Sequence, residues 1–98
     1  MPISVFAGDT SEVYYDGAAF VAAPQADAPA FTIRTLDYFE AQSVLALTDD
    51  AEKVRRCIAL GLVAVDGSED KAQAFVKKPR ARLVNPLFAA IWETTWGN

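Results

Sequence analysis

The sequence predicts an α+β fold in a single domain. An N-terminal β-hairpin or small antiparallel sheet (1–36) precedes a bundle of three to four short α-helices (37–98). Three observations predict it. Asp16-Gly17 stands between two runs of β-formers. Acids recur at capping-box spacing, Asp37 with Glu40 and Asp49 with Glu52. Alanine supplies 18 of the 98 residues, which favours helix. A chain this long fits one domain and buries roughly 60–65% of its unfolded surface.

Taken in order, Ile3, Val5 and Phe6 form a short apolar start, and Gly8 to Ser11 is a turn cluster. Val13-Tyr14-Tyr15 and Ala18 to Val21 then flank Asp16-Gly17, a dipeptide suited to a type I′ turn with φ > 0 at both central positions. Residues 22–30 hold two prolines and no periodicity, which predicts a linking loop. Phe31 to Leu36 alternates, with Phe31 and Ile33 on one face, and predicts another strand.

Asp37 caps a first helix running to Leu47, with Phe39, Ser43, Val44 and Leu47 near one stripe. Asp49 caps a second helix, in which Ala51, Val54, Cys57, Ile58 and Gly61 or Leu62 line the inner face. Glu52, Lys53, Arg55 and Arg56 point away from it, with Glu52 and Arg56 at the favourable i,i+4 spacing. Asp66-Gly67-Ser68 ends that region. A third helix over about 69–78 stops before Pro79, with Glu69 and Asp70 at its start and Lys77 and Lys78 at its end, as the helix dipole favours. Asn85-Pro86 reads as an N-cap and N1 pair opening a last helix to about Thr95. The alternative is one helix from Pro79 through Pro86, at a cost of roughly 3 kcal/mol at the proline.

Composition excludes several chemistries. The chain has no histidine and one cysteine. Catalytic triads that use imidazole, histidine proton shuttles, His-liganded zinc and an internal disulfide are therefore absent. Cys57 falls on the inner stripe of the second helix and reads as a small buried hydrophobe. Asp49, Asp50 and Glu52 form the densest acidic cluster, yet they sit at a helix start where capping explains them. The segment Asp66 to Asp70 lacks the ligand pattern of a calcium loop, and no phosphate-binding glycine motif occurs. No catalytic, metal or cofactor residue is assigned.

The longest strongly apolar run, Cys57 to Val65, has nine residues, against the ~18 of a membrane span. The first residues carry no base and no long hydrophobic stretch, so no secretory signal is expected, and a lone thiol suits a reducing compartment. The formal charge of −4 hides a division: residues 1–52 carry nine acids and one base, and residues 53–98 carry four acids and eight bases. The halves can neutralise each other within one fold, or meet head to tail between copies. Nucleic-acid binding would rest on Lys77, Lys78, Arg80 and Arg82 alone, thin support in a chain of pI about 4.6. At the C-terminus, Phe88, Trp92 and Trp96 share one side of the last helix. These three aromatics and four bases are the candidate partner-binding residues.

The stretch Phe31-Thr32-Ile33-Arg34-Thr35-Leu36-Asp37, with Glu40 three residues on, resembles the F-T-I-R-x-L-[ST]-x-x-E strand-to-helix junction of small tail assembly chaperones from tailed bacteriophages. The likeness continues through a second helix, Gly61 to Gly67 and a short last helix, covering roughly 31–98. Asp37 stands where the family has Ser or Thr, and the Trp-rich C-terminus departs from its pattern. The resemblance implies a non-enzymatic protein without cofactor. Such chaperones coat the long helical tape measure protein and recruit tail tube subunits. The partners implied are phage proteins, either the tape measure or tail or head structural subunits. Self-association would accompany them, and the place of action would be the bacterial host cytoplasm. A head-tail joining or decoration protein of the virion would share the same small size, acidity and self-association, and a small host-directed inhibitor or binding protein is a further alternative.

Overall fold

A computed structural model describes residues 8–96. Its eight elements are β1 (Thr10–Tyr15), β2 (Phe20–Val21), β3 (Phe31–Arg34), α1 (Tyr38–Leu45), α2 (Asp50–Gly61), β4 (Leu62–Val65), α3 (Glu69–Lys77) and α4 (Ala81–Trp96). The strands form one antiparallel sheet in the order β2-β1-β3-β4. The α+β architecture is as the sequence predicts. Its sheet, however, recruits a fourth strand from the helical half. The expected apolar start at Ile3, Val5 and Phe6 and the position of Gly97 lie outside the described residues.

β1 begins earlier than the expected turn cluster allows, because Thr10 and Ser11 pair with Arg34 and Ile33. The hairpin loop is also longer than a type I′ turn. Tyr15 pairs with Phe20, which leaves four loop residues, and Gly17 alone among them has positive φ (+105°). The Asp16 carboxylate closes this loop by accepting from the N–H groups of Ala18 and Ala19, at 2.8 Å each. Those two donors, Ala19 first, hold the carboxyl below its usual range.

β3 alternates as predicted, with Phe31 and Ile33 buried and Thr32 and Arg34 half-buried. β4 departs from the sequence expectation, in which residues 57–65 read as one apolar run. Its last four residues pair with β3 instead, Val65 opposite Phe31, Ala64 opposite Thr32 and Leu62 opposite Ile33, around an irregularity between Thr32 and Ile33. A run buried on both sides shows no period-2 signal. Asp66, at φ 52°, fixes the exit from β4: its N–H donates to the Ala30 carbonyl (2.7 Å), and its carboxylate accepts from the Ala30 N–H (2.9 Å).

Helix starts follow the capping residues. Asp37 and Glu40 form a reciprocal box, while Asp49 and Ser68 accept from the N–H groups of Glu52 and Lys71. The expected stripe on α1 is rotated. Ala41 and Val44 face the core, and Phe39 is 80% exposed. Two residues turn a helix by roughly 200°, so burying Ala41 turns Phe39 outward. On α2 the inner face narrows to Cys57, Ile58 and Gly61, with Val54 half-buried and Ala51 exposed.

The last helix starts at Ala81, not at Pro86, and carries Pro86 inside it. The proline sits at the sixth helical position, so the Arg82 carbonyl lacks its helical donor; Arg82 is exposed. Extending the helix back lets Leu83 and Val84 pack against the core. At roughly 1.5–3 kcal/mol for a fully buried aliphatic side chain, their half-burial offsets most of the ~3 kcal/mol that the proline costs.

The core is apolar throughout. Val13, Phe31 and Ile33 of the sheet meet Val44, Cys57, Ile58, Leu87 and Ile91 of the helices, and among the described residues no polar or charged side chain is buried. Edge-to-face contacts join Phe20, Phe31 and Phe75 from the hairpin side of the sheet to α3, with ring centroids 5.0 and 5.4 Å apart.

Candidate partner-binding surfaces

The strand-to-helix junction that carries the resemblance is built around one ion pair. Arg34 at the end of β3 grips Glu40 in α1 with two parallel bonds, Nη2 to Oε2 at 2.7 Å and Nη1 to Oε1 at 2.9 Å. Glu40 Oε1 also accepts from the Asp37 N–H (3.0 Å), and Asp37 Oδ1 accepts from the Glu40 N–H (2.7 Å). The Arg34 hydrogen bonds hold the Glu40 carboxyl below its usual range, and Glu40 in turn raises Arg34. The sequence thus spends this acid and base on fixing how α1 leaves the sheet. The Leu36 N–H donates to Thr95 Oγ1 (3.1 Å), which ties the same junction to the end of α4.

The structure separates the seven candidate residues into two groups. Phe88 and Trp92 stack at 5.7 Å and pack against the core. Trp96 lies edge-on to Trp92 at 5.7 Å and is 50% exposed. Lys77 ends α3, Lys78 and Arg80 lie in the link to α4, and Arg82 is in the first turn of α4. All four bases are exposed, and among the described residues none is in an ion pair. Fourteen residues of helix separate Arg82 from Trp96, or about 20 Å at 1.5 Å per residue. Trp96 and Arg82 therefore stand at opposite ends of α4, with Phe88 and Trp92 between them packed against the core.

Two further features escape sequence reasoning. The first is the outer face of α1. Tyr38 (63% exposed) and Phe39 (80%) pack edge-to-face on each other at 5.5 Å, and Leu45 lies exposed seven residues after Tyr38. Large apolar groups gathered on one exposed helix face mark a contact surface. The signal for it lay in Ala41 and Val44, an alternative inner stripe at i,i+3. The second feature is a cleft of about 350 Å³ where α2, α3 and α4 converge. α2 contributes Ala51, Val54 and Ile58 to its wall; Val76, Pro79 and Val84 close the other side. Its charged lining consists of Asp50, Arg55 and Lys77. No periodicity predicts such a cleft, because it arises where three separate elements converge.

Burial pushes the Cys57 thiol up to about 12, so it is a poor nucleophile. Among the described residues no group of three His, Cys, Asp or Glu side chains could hold a metal ion, and no helix is long and apolar enough to cross a membrane. No family model matches the chain, and neither the curated proteins nor the solved structures contain a match.

Proposed function

We propose that this protein is a non-enzymatic tail assembly chaperone of a tailed bacteriophage, acting in the host cytoplasm on the tape measure protein and tail subunits. The observation that carries the reading is the junction Phe31 to Glu40. Its matched residues Arg34 and Glu40, with Asp37 at the cap position, form one connected unit between β3 and α1. Motif positions that act together are a stronger match than the same letters scattered over a loop.

Two surface properties support the reading. A protein that shields apolar helices of a long partner needs apolar side chains held outward, and α1 presents Tyr38, Phe39 and Leu45. Trp96 lies at the same end of the molecule, because Thr95 is bonded to Leu36. A coat also needs weak contact between its own copies. The division into an acidic first half and a basic second half suits such contact.

The test is co-expression with the other proteins of its own gene cluster, followed by affinity capture. A tape measure protein in the captured fraction, and absence of this chain from purified mature particles, are the expected results. Capture of a portal or capsid protein together with presence in particles would overturn the chaperone reading in favour of a virion component. Capture of host protein alone would overturn both.

A further inference from the structure

We propose that Asp16-Gly17 is a site of spontaneous isomerisation to isoaspartate, while the fold holds the chain's other Asp-Gly bond, Asp66-Gly67, inert. The chemistry is intrinsic to the dipeptide. The Gly17 backbone nitrogen attacks Cγ of the neutral Asp16 carboxyl and a C–N bond forms. One carboxyl oxygen leaves as water, taking the carboxyl proton and the amide proton. Water then reopens the five-membered imide at either carbonyl. One opening restores aspartate. The other leaves isoaspartate, whose main chain runs through the side-chain carbon and is one methylene longer. Water is the sole co-reactant and nothing is oxidised or reduced. Glycine speeds closure because no side chain crowds the attacking nitrogen. That holds equally at both bonds, so the structure around them must make the difference.

Both carboxylates are hydrogen-bonded, and what differs is the cost of releasing them. Asp16 lies in an exposed loop at the β2 edge of the sheet. Its Oδ1 accepts from the N–H groups of Ala18 and Ala19, and its own N–H donates to the Ala19 carbonyl at 3.0 Å. Every one of these partners is an exposed residue of the same loop. The loop can therefore rearrange by itself, with Phe20 still packed against the core. The two donors, Ala19 first, hold the carboxyl below its usual range, so the neutral form that reacts becomes available as the loop lets go. Asp66 is tied to the framework instead. Its N–H and its carboxylate both bond to Ala30, at 2.7 and 2.9 Å. Val65 and Ser68, on either side of the pair, exchange two backbone bonds at 3.1 and 3.0 Å. Asp66 and Gly67 fill the turn between them with positive φ, 52° and 75°. Val65 is buried, and Ser68 caps α3. Freeing Asp66 to react thus frays the end of the β3–β4 pairing and loosens the start of α3.

The test is to incubate the full chain in warm, weakly acidic buffer and follow isoaspartate at each bond. Peptide mapping with a protease that cuts before aspartate but not before isoaspartate reads both. The same chain in urea is the reference, since there both bonds react free of structure. Folding should slow conversion at Asp66 about tenfold or more beyond any slowing at Asp16, because one needs a framework opening and the other a loop opening. Asp16→Glu should abolish conversion in the hairpin, since glutamate would have to close a six-membered ring, and leave the rate at Asp66 as it was. Asp16 is exposed, and circular dichroism checks that the variant folds. Equal protection of the two bonds overturns the inference. So does faster conversion at Asp66 than at Asp16 in the folded chain, or an Asp16 that converts in urea and stays unmodified when folded.

Discussion

A Cβ built on Gly61 would lie 2.5 Å from Ile91 Cγ2 and 2.9 Å from its Cδ1. The last residue of α2 therefore has no side chain because α4 crosses at that point, and Ile91, fully buried, fills the space. Gly61→Ala should destabilise the fold by about 1–3 kcal/mol, as overpacking does, despite alanine's better helix propensity. In an Ile91→Ala background the clash is gone. There the same Gly61→Ala change should be neutral or stabilising by up to ~1 kcal/mol. Urea unfolding of the four proteins measures this, and additive effects would rule out the crossing as the cause.

Glu40 makes stability depend on acid. Its carboxyl titrates below the ordinary value of 4.5 in the folded chain, chiefly because Arg34 donates to it. A depressed folded value means stability that is fully present above the unfolded value and lost as pH falls through the folded one. Both partners are about a quarter exposed, so solvent screens part of the effect. Glu40→Gln should cost about 1–2 kcal/mol at pH 7 and flatten the loss of stability below pH 4.5. An unchanged acid limb in denaturant titrations would show that the pair contributes nothing.

Much of the fold was legible where a local group does a local job. Asp37, Asp49 and Ser68 cap helices because each needs only the N–H three residues on, and that spacing is visible in the sequence. What failed depended on distant partners. Leu62 to Val65 becomes a strand because β3 offers it a free edge, and Phe39 faces out because Ala41 and Val44 fit the core. The candidate site fared similarly. Lys77 does line the cleft, whereas Trp96 stands about 20 Å along α4 from Arg82. Neither the cleft nor the outer ridge of α1 exists until the helices are packed.

Pro86 separates two readings of the last helix by experiment. In the observed helix from Ala81 it withholds a hydrogen bond from the Arg82 carbonyl. Pro86→Ala should therefore stabilise by about 1–2 kcal/mol. The restored bond and relieved clash gain roughly 3 kcal/mol, less up to ~1 kcal/mol for the added freedom of the unfolded chain and some lost ring packing. Had the helix begun at Pro86, the substitution would be near neutral or slightly destabilising. Thermal unfolding of the variant distinguishes the two.

Asp66 holds a left-handed conformation at φ 52° while its carboxylate accepts from the Ala30 N–H. Two requirements meet at one residue, and substitutions can part them. Asparagine tolerates this backbone and keeps an acceptor oxygen, so Asp66→Asn should cost under about 0.5 kcal/mol. Glycine accepts the backbone and loses the bond, which predicts about 1 kcal/mol. Alanine loses both, and about 2 kcal/mol is expected. The order Asn, Gly, Ala in rising cost, read from denaturation midpoints, is the measurement. An alanine variant no worse than glycine would show that backbone strain plays no part in ending β4.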